Sequence, residues 1–193
     1  MKTYTIPNKD IDVYEFDLTS ELDFDKILVD AEKFRLNEKS NNSHSKIHGV
    51  YLSSWLIQTK TNVFDSIIKS TENKMNSIAD IIQPANLIPV KYKVLEAWLL
   101  FYNKLGYSEY HNHVHYAWAS VCYISAEKTS SIFFNDFEFK PSTGKLLIFP
   151  GMLRHKVGTV LPSHSDRIVM ATNLFPFIDY SDFLQEHKIN IDL

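Results

Sequence analysis

The chain has a single thiol, Cys122, so no intrachain disulfide is available, and a reducing, cytoplasmic setting is the expectation. Residues 1–10 lack the apolar core of a secretory signal. No long apolar run is present either. The most apolar stretch, residues 94–102, carries Glu96 and falls far short of the roughly 20 residues that a membrane-spanning helix needs. No membrane association is expected. Positive charge is not in excess: 20 Lys and Arg stand against 23 Asp and Glu, a formal net charge of −3. That leaves no strong field for phosphates, so nucleic acid is the least expected partner. There is no internal repeat and no low-complexity linker. What is present is a folding composition, 45% hydrophobic and 13% aromatic, in 193 residues, enough for one domain over residues 1–193.

The pattern divides that domain in two. Residues 1–90 read as mixed and largely helical. Leu22, Lys26, Ile27 and the run 29–34 suit a short helix, with Ser20 as its cap. Residues 37–45 are polar and read as a loop. Residues 51–58 fit either a strand or a short helix. Val63, Phe64, Ile67, Ile68, Met75, Ile78, Ile81 and Ile82 recur at three- and four-residue steps. They mark an amphipathic helix, or two broken near Asn73, capped by Asn62. Pro84 and Pro89 punctuate its exit, and residues 182–187 suit a last helical turn.

From Tyr92 onward, short aromatic and β-branched runs alternate with turn signals: 94–102, 110–124, 131–139, 145–149, 155–160 and 167–175. Strands at that spacing predict an antiparallel sandwich or barrel. The expected class is α+β, mainly β: a double-stranded β-helix, or jelly roll, over residues 91–178, with the N-terminal helices packed on one sheet.

The chemistry concentrates in Glu109-Tyr110-His111-Asn112-His113-Val114-His115, with His155 further on. In an extended chain, residues two apart share a face and lie roughly 6.5–7 Å apart, so two such imidazoles can converge on one metal. His111 and His115 would be about 13 Å apart by the same rise, too far to share one. Two pairings stay open, His111 with His113 or His113 with His115, and His155 closes the site from another strand. Glu109 shares their parity and is a possible carboxylate ligand. His44, His48, His164 and His187 read as ordinary surface or core residues. Arg167 begins an apolar strand-like run. It is either a surface partner of Asp166 or an inward guanidinium suited to a carboxylate. Trp98, Trp118 and Phe149 could line the barrel mouth, although core packing is their ordinary role.

These residues carry a family likeness. The segment from Trp98 through His111-Asn112-His113 to Ile124 resembles the iron(II)/2-oxoglutarate-dependent oxygenases of the bacterial and phage type. Gly144-Lys145-Leu146 through Phe149-Pro150 to His155 looks like that family's second signature. Arg167-Ile168 to Asn173 looks like its closing strand. The likeness spans residues 94–176. It implies iron(II) on His111, His113 and His155, and 2-oxoglutarate as co-substrate with its far carboxylate on Arg167. Tyr102 would place its hydroxyl near the same carboxylate. It further implies O2 as oxidant, with succinate and CO2 formed as a substrate is hydroxylated. His113 stands where the wider superfamily has Asp or Glu, which gives an all-histidine triad unless Glu109 contributes. Val114 replaces the family's usual proline.

Two other classes share these residues. A cupin-like metalloenzyme that does not use 2-oxoglutarate would carry the same ligands, including on zinc, with Arg167 facing solvent. A non-catalytic binding module would use the histidines as a polar face. The primary substrate is expected to be a small molecule or peptide; the sequence leaves it and the oligomeric state unspecified.

Overall fold

Long bent strands decide this architecture. A computed structural model describes residues 1–41, 45–83, 90–127, 129–163 and 166–178. Its strands are β1 (Lys2–Ile6), β2 (Ile11–Asp17), β3 (Ile47–Leu52), β4 (Val90–His111), β5 (Trp118–Ser125), β6 (Ile132–Phe134), β7 (Phe137–Phe139), β8 (Lys145–Pro150), β9 (His155–Val157) and β10 (Arg167–Ile178). The helices are α1 (Phe24–Asn37) and α2 (Asp65–Ile82), and Ile57–Thr59 forms one 3-10 turn.

The strands pair antiparallel in the order β1-β2-β8-β5-β10-β4-β9-β6-β7, with β3 also on β4. β4 makes the roll. Its first half pairs with β10 along Val90 to Tyr102, and its far end pairs with β3 and, through Ser108 and His111, with β9. The polar stretch 103–106 was expected to end this strand. Instead it forms an irregular bend inside it. Leu105 adopts φ 66°, and the register slips between His48 and Val50. Gly106 permits the bend, because a Cβ there would sit 2.8 Å from the Gly49 carbonyl oxygen.

Both faces of the central strands are buried, which is why they read as unbroken apolar runs. Ala97, Leu99 and Phe101 of β4 face an outer cluster with Phe24, Ile27 and Ala31 of α1 and Ile67, Met75 and Ile78 of α2. Trp98, Leu100 and Tyr102 alternate with them and face an inner cluster with Val121, Tyr123, Leu147, Phe149 and Val169. The helices therefore plate one outside face, and the inner cluster fills the jelly roll.

Several local expectations are corrected. α1 is capped by Asp23, whose carboxylate accepts from Lys26 N at 3.0 Å, so Ser20 is not the cap. α2 is unbroken at Asn73, and Phe64 rather than Asn62 holds its N-cap position. Polar residues on α2 have other work: Glu72 and Asn76 accept from Val94 N (2.9 Å) and Tyr92 N (2.7 Å), covering the edge of β4. Residues 51–58 divide between the end of β3 and the 3-10 turn. Run 131–139 is a hairpin turning at Asn135 (φ 52°), and run 110–124 is interrupted by a turn between β4 and β5. The first ninety residues contribute three strands as well as two helices. Pro84, Pro89, His44, His164, His187 and the turn expected at 182–187 lie outside the described residues. No helix among the described residues is long and apolar enough to cross a membrane.

Candidate metal centre

His111 is the last residue of β4 and His155 the first of β9, and the two are cross-strand partners. Opposed positions bring side chains together, and these ring centroids lie 4.4 Å apart. His113 arrives differently from the strand alternation its spacing suggested. It sits in the β4–β5 turn, held by His113 N donating to Gly151 O (2.7 Å) and Tyr116 N donating to His113 O (2.9 Å). The turn lays its ring parallel to His155, with 5.2 Å between centroids and 2° between planes. One ligand nitrogen from each of His111, His113 and His155 lies within 4.8 Å of the others. The open pairing thus closes on His111 with His113. His115 is exposed and outside the group. Glu109 is also outside it: its side chain is 55% exposed, and its carboxylate meets His48 Nε2 at 2.9 Å. Sequence parity failed here because the chain leaves the strand after His111.

Backbone carbonyls orient two of the rings. His111 Nδ1 lies 2.8 Å from Glu109 O, and His155 Nδ1 lies 3.0 Å from Leu153 O. A carbonyl oxygen only accepts, so each Nδ1 carries the proton and each Nε2 keeps its lone pair for a metal. Burial pushes the His155 pKa well below its ordinary value, and His111, His113 and Arg167 push it the same way. A neutral imidazole is the metal-binding form. Phe149 meets the His155 ring edge-on at 4.8 Å, and Trp98 stacks on His113 at 6.0 Å. Three converging imidazole nitrogens suit a divalent transition metal.

Gly151 is the hinge pin of this arrangement. A Cβ there would collide with Tyr116 O and come within 2.6 Å of His113 O. Gly151→Ala is expected to push the His113 turn outward and weaken divalent-metal affinity by about tenfold or more, as losing a ligand-orienting contact does. Isothermal titration with Zn2+, alongside a melt showing the fold intact, measures it.

Arg167 opens β10 directly opposite Tyr102. It is 1% exposed. Nη1 donates to Ser130 O at 2.8 Å, and Nη2 donates to the Tyr123 hydroxyl at 3.3 Å. Its Cζ lies 4.9 Å from the Tyr123 ring centre and 5.4 Å from that of Tyr102. Nε has no partner. Asp166, the alternative surface partner, pairs instead with Lys104 at 3.9 Å. No carboxylate among the described residues lies within salt-bridge distance of Arg167. The phenols do not neutralise it: burial pushes Tyr123 up to about 12 and raises Tyr102, the nearby guanidinium only partly opposing both. A buried, uncompensated charge is costly unless an anion joins it. Tyr123 and Ser130 were missed by sequence reasoning, because a tyrosine in an apolar run reads as core and a carbonyl has no sequence signal.

Both features line one pocket. Tyr102, Leu100, Val121 and Phe149 contribute to its wall. Trp98 lines it too, whereas Trp118 packs on Tyr14 in the outer cluster (centroids 6.1 Å apart) and does not line the mouth. The pocket brings the three imidazoles and the guanidinium together in apolar surroundings.

No protein-family model matches the sequence, and no curated protein matches it. Solved structures do match. A 2OG-Fe(II) oxygenase family oxidoreductase from Burkholderia pseudomallei superposes with a TM-score of 0.60 at 10% identity, over 84% of each chain. The chain has the fold of the 2OG-Fe(II) oxygenases. A viral collagen prolyl hydroxylase from Paramecium Bursaria Chlorella virus-1, solved as its 2OG complex, gives 0.59 at 16% identity, over 84% of this chain and 94% of that one. The non-heme alpha ketoglutarate dependent epimerase of nogalamycin biosynthesis gives 0.63 at 9% identity, over 84% and 77%. At these identities the likeness is one of fold, and in this chain the jelly roll holds the three histidines and the buried arginine within its inner pocket.

Proposed function

We propose that this protein is an iron(II)- and 2-oxoglutarate-dependent oxygenase that hydroxylates an organic substrate. The observation that carries the reading is the uncompensated Arg167 guanidinium, buried in the same pocket as three convergent imidazoles. A cupin-like enzyme without 2-oxoglutarate has no use for a buried cation there. The epimerase among the fold relatives marks a related outcome within the same cofactor chemistry.

His111 and His155 would hold the metal by Nε2, with a ring nitrogen of His113 as the third ligand. Bound iron(II) supplies the redox chemistry that couples oxidative decarboxylation of 2-oxoglutarate, to succinate and CO2, with transfer of oxygen from O2. The chain's own contribution is binding, orientation and exclusion of water. Arg167 would take the far carboxylate, and the Tyr123 hydroxyl and Ser130 carbonyl hold the guanidinium plane in place. Tyr102 flanks it as a neutral phenol able to donate to the same carboxylate. Imidazole ligands bring no negative charge, so both charges of a divalent ion would remain uncompensated, which favours a dianionic co-substrate. Leu100, Val121 and Phe149 keep the surroundings apolar, so these attractions are weakly screened. The acidic balance of the chain favours a small molecule or peptide over nucleic acid as the primary substrate.

Anaerobic iron(II) titration in the presence of 2-oxoglutarate tests this. The expected result is a weak visible metal-to-ligand charge-transfer band that saturates at one iron per chain and disappears when succinate replaces 2-oxoglutarate. Stoichiometric iron with no band overturns the 2-oxoglutarate reading. No metal uptake overturns both it and the cupin alternative.

A further inference from the structure

The inner faces of β4 and β10 carry a second polar station, one that the metal and the co-substrate do not use. Side chains alternate along a strand, so Tyr102, Leu100, Trp98 and Glu96 follow one another on one face of β4. Across the ladder, Arg167, Val169, Ala171 and Asn173 are their register partners. Arg167 with Tyr102 forms the deep end. Asn173 with Glu96 lies six residues along, about 20 Å away at an extended rise. Trp98 and Ala171, between them, line the pocket, and Trp98 stacks on His113. Glu96 and Asn173 therefore stand one pleat beyond Trp98 and Ala171, just outside the residues that line the pocket.

Their polar atoms are incompletely matched. Asn173 Nδ2 donates to Glu96 Oε2 at 2.8 Å. Asn173 is 3% exposed, yet its Oδ1 has no hydrogen-bond partner. Tyr116, from the His113 turn, stands near Glu96, and burial together with this carboxylate raises the phenol's pKa. Asn173, its hydrogen-bond partner, is neutral, and so is the nearby Tyr116 phenol. No Lys, Arg or His among the described residues lies within salt-bridge distance of it. A carboxylate without a counter-ion beside a buried acceptor without a donor asks for a cationic N–H group.

The aromatic surroundings point the same way. Ala97 N donates to Trp55 O at 2.9 Å, and Leu56 bridges to Ala97, which seats the segment carrying Trp55 against β4 beside Glu96. The Trp55 and Trp98 rings meet at 4.5 Å and 60°, forming an open corner that lines the pocket. Tryptophan faces attract ammonium groups.

We propose that Glu96 and Asn173, with the Trp55–Trp98 corner, form the recognition site for an amine on the primary substrate, which binds as its ammonium cation. The site rests on the oxygenase reading above and names its substrate class: a compound whose ammonium group is anchored at the rim while a neighbouring C–H is presented to the metal cluster. Charge alternates along the pocket, with the co-substrate's anion deep on Arg167 and the substrate's cation outside on Glu96.

The test uses the full chain loaded anaerobically with iron(II) and 2-oxoglutarate, the charge-transfer band serving as the loading check. Tryptophan fluorescence is titrated with n-butylammonium, n-butanol and butyrate. Butylammonium is expected to bind about tenfold or more tightly than butanol, with butyrate weaker still, as a carboxylate and an aromatic face together predict. Glu96→Gln keeps the shape and is expected to abolish the preference while leaving the band unchanged. Equal binding of butylammonium and butanol, or a preference that survives Glu96→Gln, overturns the amine site while the band still supports the oxygenase reading. Absence of the band in the wild-type chain overturns both.

Discussion

Replacing His155 with alanine is expected to remove 2-oxoglutarate turnover and to lower metal affinity by more than about 100-fold, beyond the 10–100-fold typical of losing an orienting contact behind a ligand. The reasoning is geometric. His155 is both the cross-strand partner of His111 and the parallel neighbour of His113, so it touches both other donors. Its removal leaves two imidazoles on a turn and a strand end, without the fixed third nitrogen. It also opens a gap against Phe134 and Phe149, whose rings lie 5.9 and 4.8 Å from the imidazole. A cavity of that kind costs stability, by about 2–4 kcal/mol in comparable core truncations. His155→Gln, which fills most of the space, separates the two effects: it restores the melt and not the turnover. Metal content by mass spectrometry and succinate by chromatography read the outcome. Succinate at the wild-type rate from either variant would sink the ligand assignment.

The periodicity of the chain carried most of this fold. Unbroken apolar runs such as Leu146, Leu147, Ile148 and Phe149 marked strands buried on both faces, and the three-four spacing of Ile67, Met75 and Ile78 marked the helix that plates the sheet. What stayed hidden was governed by contacts between distant segments. The bend at Leu105 depends on Gly49 lying against Gly106, which no local signal announces. The departure of the chain after His111 depends on Gly151 O receiving His113 N. The three converging histidines were nonetheless legible, because a dense run of imidazoles survives an error in local geometry. Arg167 was legible as a candidate, but its inward orientation rests on the Ser130 carbonyl and the Tyr123 hydroxyl, which are distant in sequence. Tyr123 was not, since its hydroxyl acquires meaning only beside the guanidinium. The rim pair escaped for the same reason: Glu96 and Asn173 are far apart in sequence and meet through β-register alone.

Arg167→Met is expected to raise the KM for 2-oxoglutarate by about 100-fold or more, because two charge-assisted hydrogen bonds, each worth about 1.5–3 kcal/mol, are lost from the co-substrate carboxylate. At saturating 2-oxoglutarate, kcat should change far less, since the guanidinium grips the far end of the molecule and not its reacting end. The stability of the ligand-free protein gives the sharper contrast. An arginine kept for structure would leave its variant badly destabilised. An arginine kept for an anion is itself a burden in the free protein, so methionine relieves an uncompensated charge. Against that relief, the Ser130 carbonyl and the Tyr123 hydroxyl lose their donors, at a cost of about 1–3 kcal/mol each. The opposing effects are of similar size, and the ligand-free melting temperature is expected to stay within a few degrees of wild type. The rise in melting temperature on adding 2-oxoglutarate to metal-loaded protein should vanish in the variant. Arg167→Lys keeps the charge and loses the planar fork, so its KM should fall between the two. A steeply lowered melt together with an unchanged KM would make Arg167 a structural residue and return the pocket to the cupin-like reading.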